Sequence, residues 1–217
     1  MTTEPETRPI LLVCGCQKYR PYLEATVRRF AKHPEWRVVG LLGDPAAAAP
    51  VFDGIYLTVP NPDTYEALPA KIQAAVAWIA ATWPDVPGYF KTDDDIEFGN
   101  PRHIIQAILQ LKDTHPYWGL TYSVCAAAPV NGWRISNRFC DTSLRPTHQA
   151  ATYCFGAGYW IGREGIRAIA AAADVFAASA LEDVATGYVM NRAGLFPRKL
   201  PLPVREVPRG PELLALQ

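Results

Sequence analysis

Several features are scarce in this 217-residue chain, and each scarcity closes off a class of function. The first nine residues, Met1 to Pro9, hold no apolar core and predict neither a signal peptide nor a membrane anchor. No run approaches the ~20 apolar residues that a spanning helix needs, so no transmembrane segment is expected and the expected compartment is the cytoplasm. Basic runs are missing too: 21 Lys and Arg balance 21 Asp and Glu, which argues against a nucleic-acid partner. Five cysteines (Cys14, Cys16, Cys125, Cys140, Cys154) are odd in number and scattered, and no spacing completes a zinc set. They are expected to be small, reduced core residues. Four histidines (His33, His103, His115, His148) do not cluster, and no G-x-S-x-G elbow or Ser–His–Asp pattern is present.

What is present alternates between strand and helix. Ile10-Leu11-Leu12-Val13-Cys14 is a continuous apolar run, as a strand buried on both faces requires. A helix is predicted over 22–32, a second strand over 36–42 and a third over 55–59. Asn61-Pro62-Asp63-Thr64 is expected to cap a helix over 65–83, whose apolar positions recur every three or four residues. After the strand at Tyr89-Phe90, Asn100-Pro101 opens a helix to Lys112 with Ile104, Ile105, Ile108 and Leu109 inward. Tyr117 to Val124 reads as one strand, 126–152 as loops with an edge hairpin, and Leu181 to Ala193 as a final helix. Such alternation predicts a single α/β domain with a mostly parallel central sheet flanked by helices. Residues 1–9 are expected to be a disordered lead, 10–200 the domain and 201–217 a proline-rich tail without a strong element.

Chemistry concentrates at Phe90-Lys91-Thr92-Asp93-Asp94-Asp95-Ile96. Two carboxylates about 4 Å apart repel by roughly 4 kcal/mol at a surface dielectric. A hard divalent ion, Mg²⁺ or Mn²⁺, would convert that repulsion into binding. Along an extended chain Asp93 and Asp95 face one way and Asp94 the other, at a strand end where open α/β sheets bind ligands. Turn and cap roles are the plain alternative, but Asn100 and Pro101 already serve the next helix. Gly156-Ala157-Gly158 lacks the register of a dinucleotide fingerprint. It fits either backbone approaching a ligand closely or a glycine-containing bulge. Glu182-Asp183 at a helix start is open to two readings: acids favoured by the helix dipole, or a carboxylate base in a cleft.

Taken in order, these stretches resemble the β-1,3-galactosyltransferase/Fringe-type glycosyltransferases. Asp63-Thr64-Tyr65-Glu66-Ala67-Leu68-Pro69-Ala70-Lys71 is similar to that family's D-x-Y-x-N-L-x-x-K, and Lys91 to Ile96 to its K-x-D-D-D-V. Tyr153-Cys154-Phe155-Gly156-Ala157-Gly158-Tyr159 is similar to Y-C-x-G-x-G-Y, and Glu182-Asp183-Val184 with Gly187 to E-D-V-x-x-G. The resemblance implies a GT-A fold and inverting transfer of a hexose or N-acetylhexosamine from a UDP-sugar to a glycan or lipid-linked glycan hydroxyl. Carried over by position, Asp93 and Asp95 would hold Mn²⁺ or Mg²⁺, with Asp95 the more direct ligand. Lys91, Asp93, Asp94, Gly156 and Gly158 would meet the donor, and Asp183 would deprotonate the acceptor.

Two departures stand against this. The relatives usually carry an amino-terminal anchor, and they commonly supply a histidine metal ligand after the E-D-V segment, whereas no histidine follows His148 here. A non-catalytic nucleotide-sugar or glycan-binding module of the same fold is therefore the second reading, and a metal-dependent phosphohydrolase the third.

Overall fold

The computed structural model describes residues 5–120, 122–125, 151–179, 181–200, 205–207 and 209–210. Twelve strands are described: β1 (Ile10–Cys14), β2 (Arg37–Gly43), β3 (Val51–Phe52), β4 (Tyr56–Val59), β5 (Gly88–Asp93), β6 (Ile96–Glu97), β7 (Tyr117–Gly119), β8 (Tyr122–Cys125), β9 (Ala151–Cys154), β10 (Gly158–Gly162), β11 (Arg198–Lys199) and β12 (Arg205–Glu206). Six α-helices accompany them: α1 (Arg20–Phe30), α2 (Leu68–Thr82), α3 (Pro101–Leu111), α4 (Arg163–Ala170), α5 (Ala173–Ala177) and α6 (Glu182–Arg192). Eight strands form one sheet in the order β11-β7-β10-β5-β1-β2-β4-β3. β5, β1, β2 and β4 are mutually parallel, with Cys14 beside both Asp93 and Leu41. β10 runs antiparallel to β5 and β7. The expected α/β architecture, a large central sheet flanked by helices, is the one observed.

Alternation along β1 explains its unbroken apolar run. Ile10, Leu12 and Cys14 pack with α2, α4 and α6 on one face, through Ile72, Val76, Ile79, Ile166 and Met190. Leu11 and Val13 pack with α1 and α3 on the other, through Leu23, Val27, Phe30, Ile104 and Ile108. A strand covered on both sides has no face to give to polar residues. Trp118 and Trp160, neighbours in the ladder, stack with ring centroids 6.3 Å apart. Each such buried aromatic contributes about 1.5–3 kcal/mol. Cys14 and Cys154 are buried free thiols, both pushed up to about 12 by burial, and Cys16 is a half-buried free thiol.

Three expectations change. Leu109 is exposed, because the face of α3 toward the core closes with Ile104, Ile105 and Ile108. Tyr117 to Val124 is not one strand: β7 stays in the main sheet, and β8 pairs with β9 in a separate ladder. α2 begins at Leu68, after an N-cap at Ala67 that makes no side-chain bond. Of the stretch expected to cap it, Thr64 Oγ1 accepts from Ala67 N at 3.4 Å, and Asp63 is engaged elsewhere, as described below. Past Pro197 the described residues add two strands of two residues each, β11 pairing with β7 and β12 with β6. The loops and edge hairpin expected over 126–150 lie outside the described residues. Among the described residues, no helix is long and apolar enough to cross a membrane.

Candidate active site

Ladder register gathers the chemistry at one end of the sheet. Cys14 pairs with Asp93, so β1 and β5 finish side by side. Gly158 pairs with Thr92, so antiparallel β10 starts there, and the turn before it lies against the acids. α6 packs on β9 with Gly187 at the contact. A Cβ on Gly187 would stand 2.8 Å from Thr152 O and from Tyr153 Cα, so only glycine permits this approach. The approach delivers Glu182 and Asp183, the first residues of α6, to the glycine turn.

Lys91 joins these pieces from beneath. It is 1% exposed, and its ammonium donates to Gly156 O at 2.7 Å and forms ion pairs with Asp93 Oδ1 at 2.8 Å and Glu182 Oε1 at 3.0 Å. The three oxygens surround the ammonium inside the protein. Desolvation alone would lower its pKa, but the charges of Asp93 and Glu182 outweigh that and hold it well above the ordinary lysine value. Buried Glu182 also accepts from Tyr159 Oη at 2.7 Å. Neither acid of the pair is the N-cap of α6, which is Leu181 and makes no side-chain bond. Asp183 accepts from Val184 N at 2.9 Å and from Gly156 N at 3.3 Å. Burial first, and the like charge of Glu182 second, raise its pKa to about 7 against the pull of Lys91 and the two N–H bonds. Burial and the neighbouring charge thus favour the protonated form of this carboxyl, the direction that suits a general base working near neutrality.

At the end of β5 the strand stops at Asp93, and residues 94–95 form a turn. The turn, and not strand alternation, sets where the acids face. Asp93 and Asp95 keep 30% and 18% of their side chains exposed, whereas Asp94 is wholly buried. Asp94 Oδ1 accepts from Arg209 Nε at 3.2 Å and Nη2 at 2.5 Å. Its Oδ2 has no hydrogen-bond partner among the described residues. Burial pushes Asp94 up to about 6 in spite of that arginine. Arg209 Nη1 reaches Asp95 Oδ2 at 3.1 Å.

A second buried pair shapes the loops beside the turn. Lys71 Nζ donates to Asp63 Oδ1 and to Gly15 O, each at 2.7 Å. Asp63 also accepts from Gln17 N, after β1, and from Gly43 N, at the end of β2. One carboxylate thus fixes two strand-end loops.

The predicted site residues sort by depth. Asp93, Gly156 and Asp183 are brought together around Lys91, and Asp95, two residues on from Asp93, meets Arg209. Lys91, Asp94 and Gly158, expected against the donor, lie underneath. Lys91 and Asp94 Oδ1 make their polar contacts within the protein, and a Cβ on Gly158 would strike Leu120 Cδ1 at 2.7 Å and Phe90 Cζ at 2.9 Å. Gly156 differs, since a Cβ there would meet Glu182 Oε1 at 3.1 Å and Lys91 Nζ at 3.3 Å. Carboxylate oxygens of Asp93 and Asp95 suit a hard divalent ion, and the orphaned oxygen of Asp94 marks an acid surplus that a cation would relieve. Among the described residues, no three His, Cys, Asp or Glu side chains gather to hold an ion. The remaining ligands would be substrate oxygens and water. Two surface concavities, around Trp83 and Arg163 and around Glu6 and Arg37, lie at the opposite, amino ends of the strands. Polar connectivity, and not cavity size, singles out the acid turn. Sequence reasoning missed Arg209, an isolated arginine in a proline-rich tail that gives no signal, and it left Glu182 indistinguishable from a helix-start acid.

The family model described as Galactosyltransferase matches residues 56–201, which include Asp63, Lys71, the acid turn, the glycine turn and Glu182-Asp183. The search of curated proteins gave no match. Among solved structures, the apo structure of WbbM, a bifunctional glycosyltransferase, aligns with 93% of this chain at 8% identity and a TM-score of 0.47. The chain spans 40% of the length of that protein.

Proposed function

This chain belongs to the galactosyltransferase family, and from that premise we propose that it is a metal-dependent, inverting glycosyltransferase. It takes a hexose or N-acetylhexosamine from a UDP-sugar and places it on a hydroxyl of a glycan or lipid-linked glycan. The observation that carries the proposal is the link from Asp93 to Asp183. One buried ammonium, Lys91, holds Asp93, Glu182 and the Gly156 carbonyl, and Gly156 N holds Asp183.

Asp183 accepts the proton of the acceptor hydroxyl as its oxygen forms the new bond to the sugar's anomeric carbon. The bond from that carbon to the diphosphate breaks, and its electron pair leaves with UDP. Attack from the face opposite the diphosphate inverts the anomeric centre. A divalent ion on Asp93 and Asp95, Mn²⁺ or Mg²⁺, would offset charge on the departing diphosphate. Lys91 keeps the two acidic elements at fixed separation, so the base and the donor site hold one geometry.

The test is UDP release from a panel of UDP-sugars with candidate acceptors, with and without Mn²⁺. Asp95→Ala and Asp183→Ala are each expected to lower turnover at least ~100-fold. Full turnover in both variants rejects the proposal. UDP-sugar binding without transfer in any acceptor screen would identify a binding module, and phosphate release without transfer a phosphohydrolase.

A further inference from the structure

The segment after residue 201 lies beyond the match to the family model, yet it reaches the acid turn. β12 pairs antiparallel with β6, through Arg205 beside Glu97 and Glu206 beside Ile96. Val207 is buried and its N–H donates to Asp95 O at 2.8 Å. Arg205 makes a forked bond to Glu97 Oε2 at 2.7 and 3.0 Å. These contacts suffice to dock the segment. Arg209 then adds a guanidinium on Asp94 and Asp95, 4.6 Å above the ring centroid of Tyr19.

As a mere anchor this arrangement is poor. Asp94 is desolvated and one of its oxygens is left without a hydrogen bond, and buried ion pairs of that kind return little stability. As a ligand site it is well built. A guanidinium carries five N–H donors in a rigid plane. Nε and Nη2 donate to Asp94, and Nη1 is ion-paired with Asp95 Oδ2 at 3.1 Å, so even with one N–H turned to each contact two N–H groups are left. Asp94 fixes the plane of the fork, Tyr19 covers one face, and 30% of the side chain stays exposed. Tyr19 belongs to the 3₁₀ turn Gln17–Tyr19, between β1 and α1. The cation therefore bridges the acid turn and the loop leaving β1, both at the carboxyl ends of parallel strands, where open sheets of this class bind ligands. Planar, fixed, partly exposed and permanently charged, it has the properties that select arginine for phosphate oxygens.

We infer that Arg209, delivered by the carboxyl-terminal segment, is a ligand of the donor's diphosphate. Its two remaining N–H groups bind phosphate oxygens while Asp94 and Asp95 hold it in place. The inference rests on the acid turn being a nucleoside-diphosphate site.

The experiment compares UDP and uridine binding to the full chain without added metal, UDP by calorimetry and uridine by ligand-observed NMR. Arg209→Ala is expected to weaken UDP at least about tenfold, the loss typical of a charge-assisted hydrogen bond, and to leave uridine binding unchanged. Arg209→Lys, which keeps the charge but loses the fork, is expected to fall between the two. It carries the test alone if the alanine variant does not fold. Unchanged UDP affinity overturns the inference, and so does an equal loss for UDP and uridine, the signature of a structural role. If the unaltered chain binds neither UDP nor any other nucleoside diphosphate, the reading of the site fails, and the inference fails with it.

Discussion

Lys91 Nζ stands 3.0 Å from Glu182 Oε1, and both side chains are almost wholly buried. One comes from the fifth strand and the other from the last helix, so a single ion pair fastens two distant stretches of chain. With Asp93 also at 2.8 Å, two carboxylates share one ammonium in a desolvated setting.

Removing that ammonium should be severe. Lys91→Met leaves Glu182 and half-buried Asp93 without their common cation, and breaking a buried pair typically costs 3–5 kcal/mol. Urea unfolding of Lys91→Met is expected to show a loss of that order. Lys91→Met/Glu182→Leu is expected to recover part of it, because no uncompensated buried charge remains at position 182. A double variant as weak as the sum of its singles would contradict the coupling.

Asp183 sets the expected pH dependence. Its folded pKa, about 7, lies above the ordinary value of 3.8, so the fold disfavours its ionised form. From pH 4 to 7 the unfolded chain loses this proton first, so this group's contribution to stability declines as pH rises across that window and is constant above it. Activity should run the other way, since only the ionised base accepts a proton. Turnover per unit of substrate affinity is expected to climb through pH 7 with a slope of one. Glu182→Gln removes a like charge and frees Lys91 to act on Asp183, so the limb should move to lower pH. A pH–rate profile unmoved by Glu182→Gln would show that these charges do not govern the base.

Much of this was legible in sequence, for identifiable reasons. The run from Ile10 to Cys14 could only be a strand covered on both faces, and the acids at 93–95 lay upstream of a helix already capped by Asn100, whose side chain accepts from Arg102 N at 3.0 Å. Depth was not legible. Lys91 and Asp94 look like surface groups in a string of letters, and only the ladder partners of β5 and the arrival of Arg209 show them buried. Asp63 misled for a related reason. A polar residue a few positions before a helix reads as a cap, and its true partners, Lys71, Gln17 and Gly43, are set by folding.

Gly187 offers a steric test of how the base is delivered. A Cβ there meets backbone at 2.8 Å, at Thr152 O and Tyr153 Cα, which cannot move aside as a side-chain tip could. Gly187→Ala must therefore push α6 away from β9. Overpacking of this kind typically costs 1–3 kcal/mol, and Asp183, on the same helix, should be displaced as well. Lower thermal stability together with a turnover loss that saturating donor does not restore is the expected result. An alanine variant with unaltered melting temperature would show that the helix is not seated as described.

The Asp63–Lys71 clamp predicts a separation of binding from chemistry. Asp63 holds the loop after β1 through Gln17 N and the end of β2 through Gly43 N, while Lys71 neutralises it and bonds Gly15 O. Neither residue is bonded to Asp93, Asp95 or Asp183, so neither acts on the proton transfer. Asp63→Asn keeps the shape but only one acceptor oxygen, so Gln17 N, on Oδ2, and Gly43 N, on Oδ1, cannot both be served, and it leaves Lys71 without its counter-charge. Breaking a pair of this depth typically costs 3–5 kcal/mol, lessened here by the retained acceptor, so a stability loss of about 2 kcal/mol or more is expected. Loosening of the β1 loop should raise the donor KM several-fold and leave the pH limb near 7 where it was, because the groups around Asp183 are unchanged. A variant that shifts that limb while retaining its donor KM would place Asp63 in the chemistry and not in the loop.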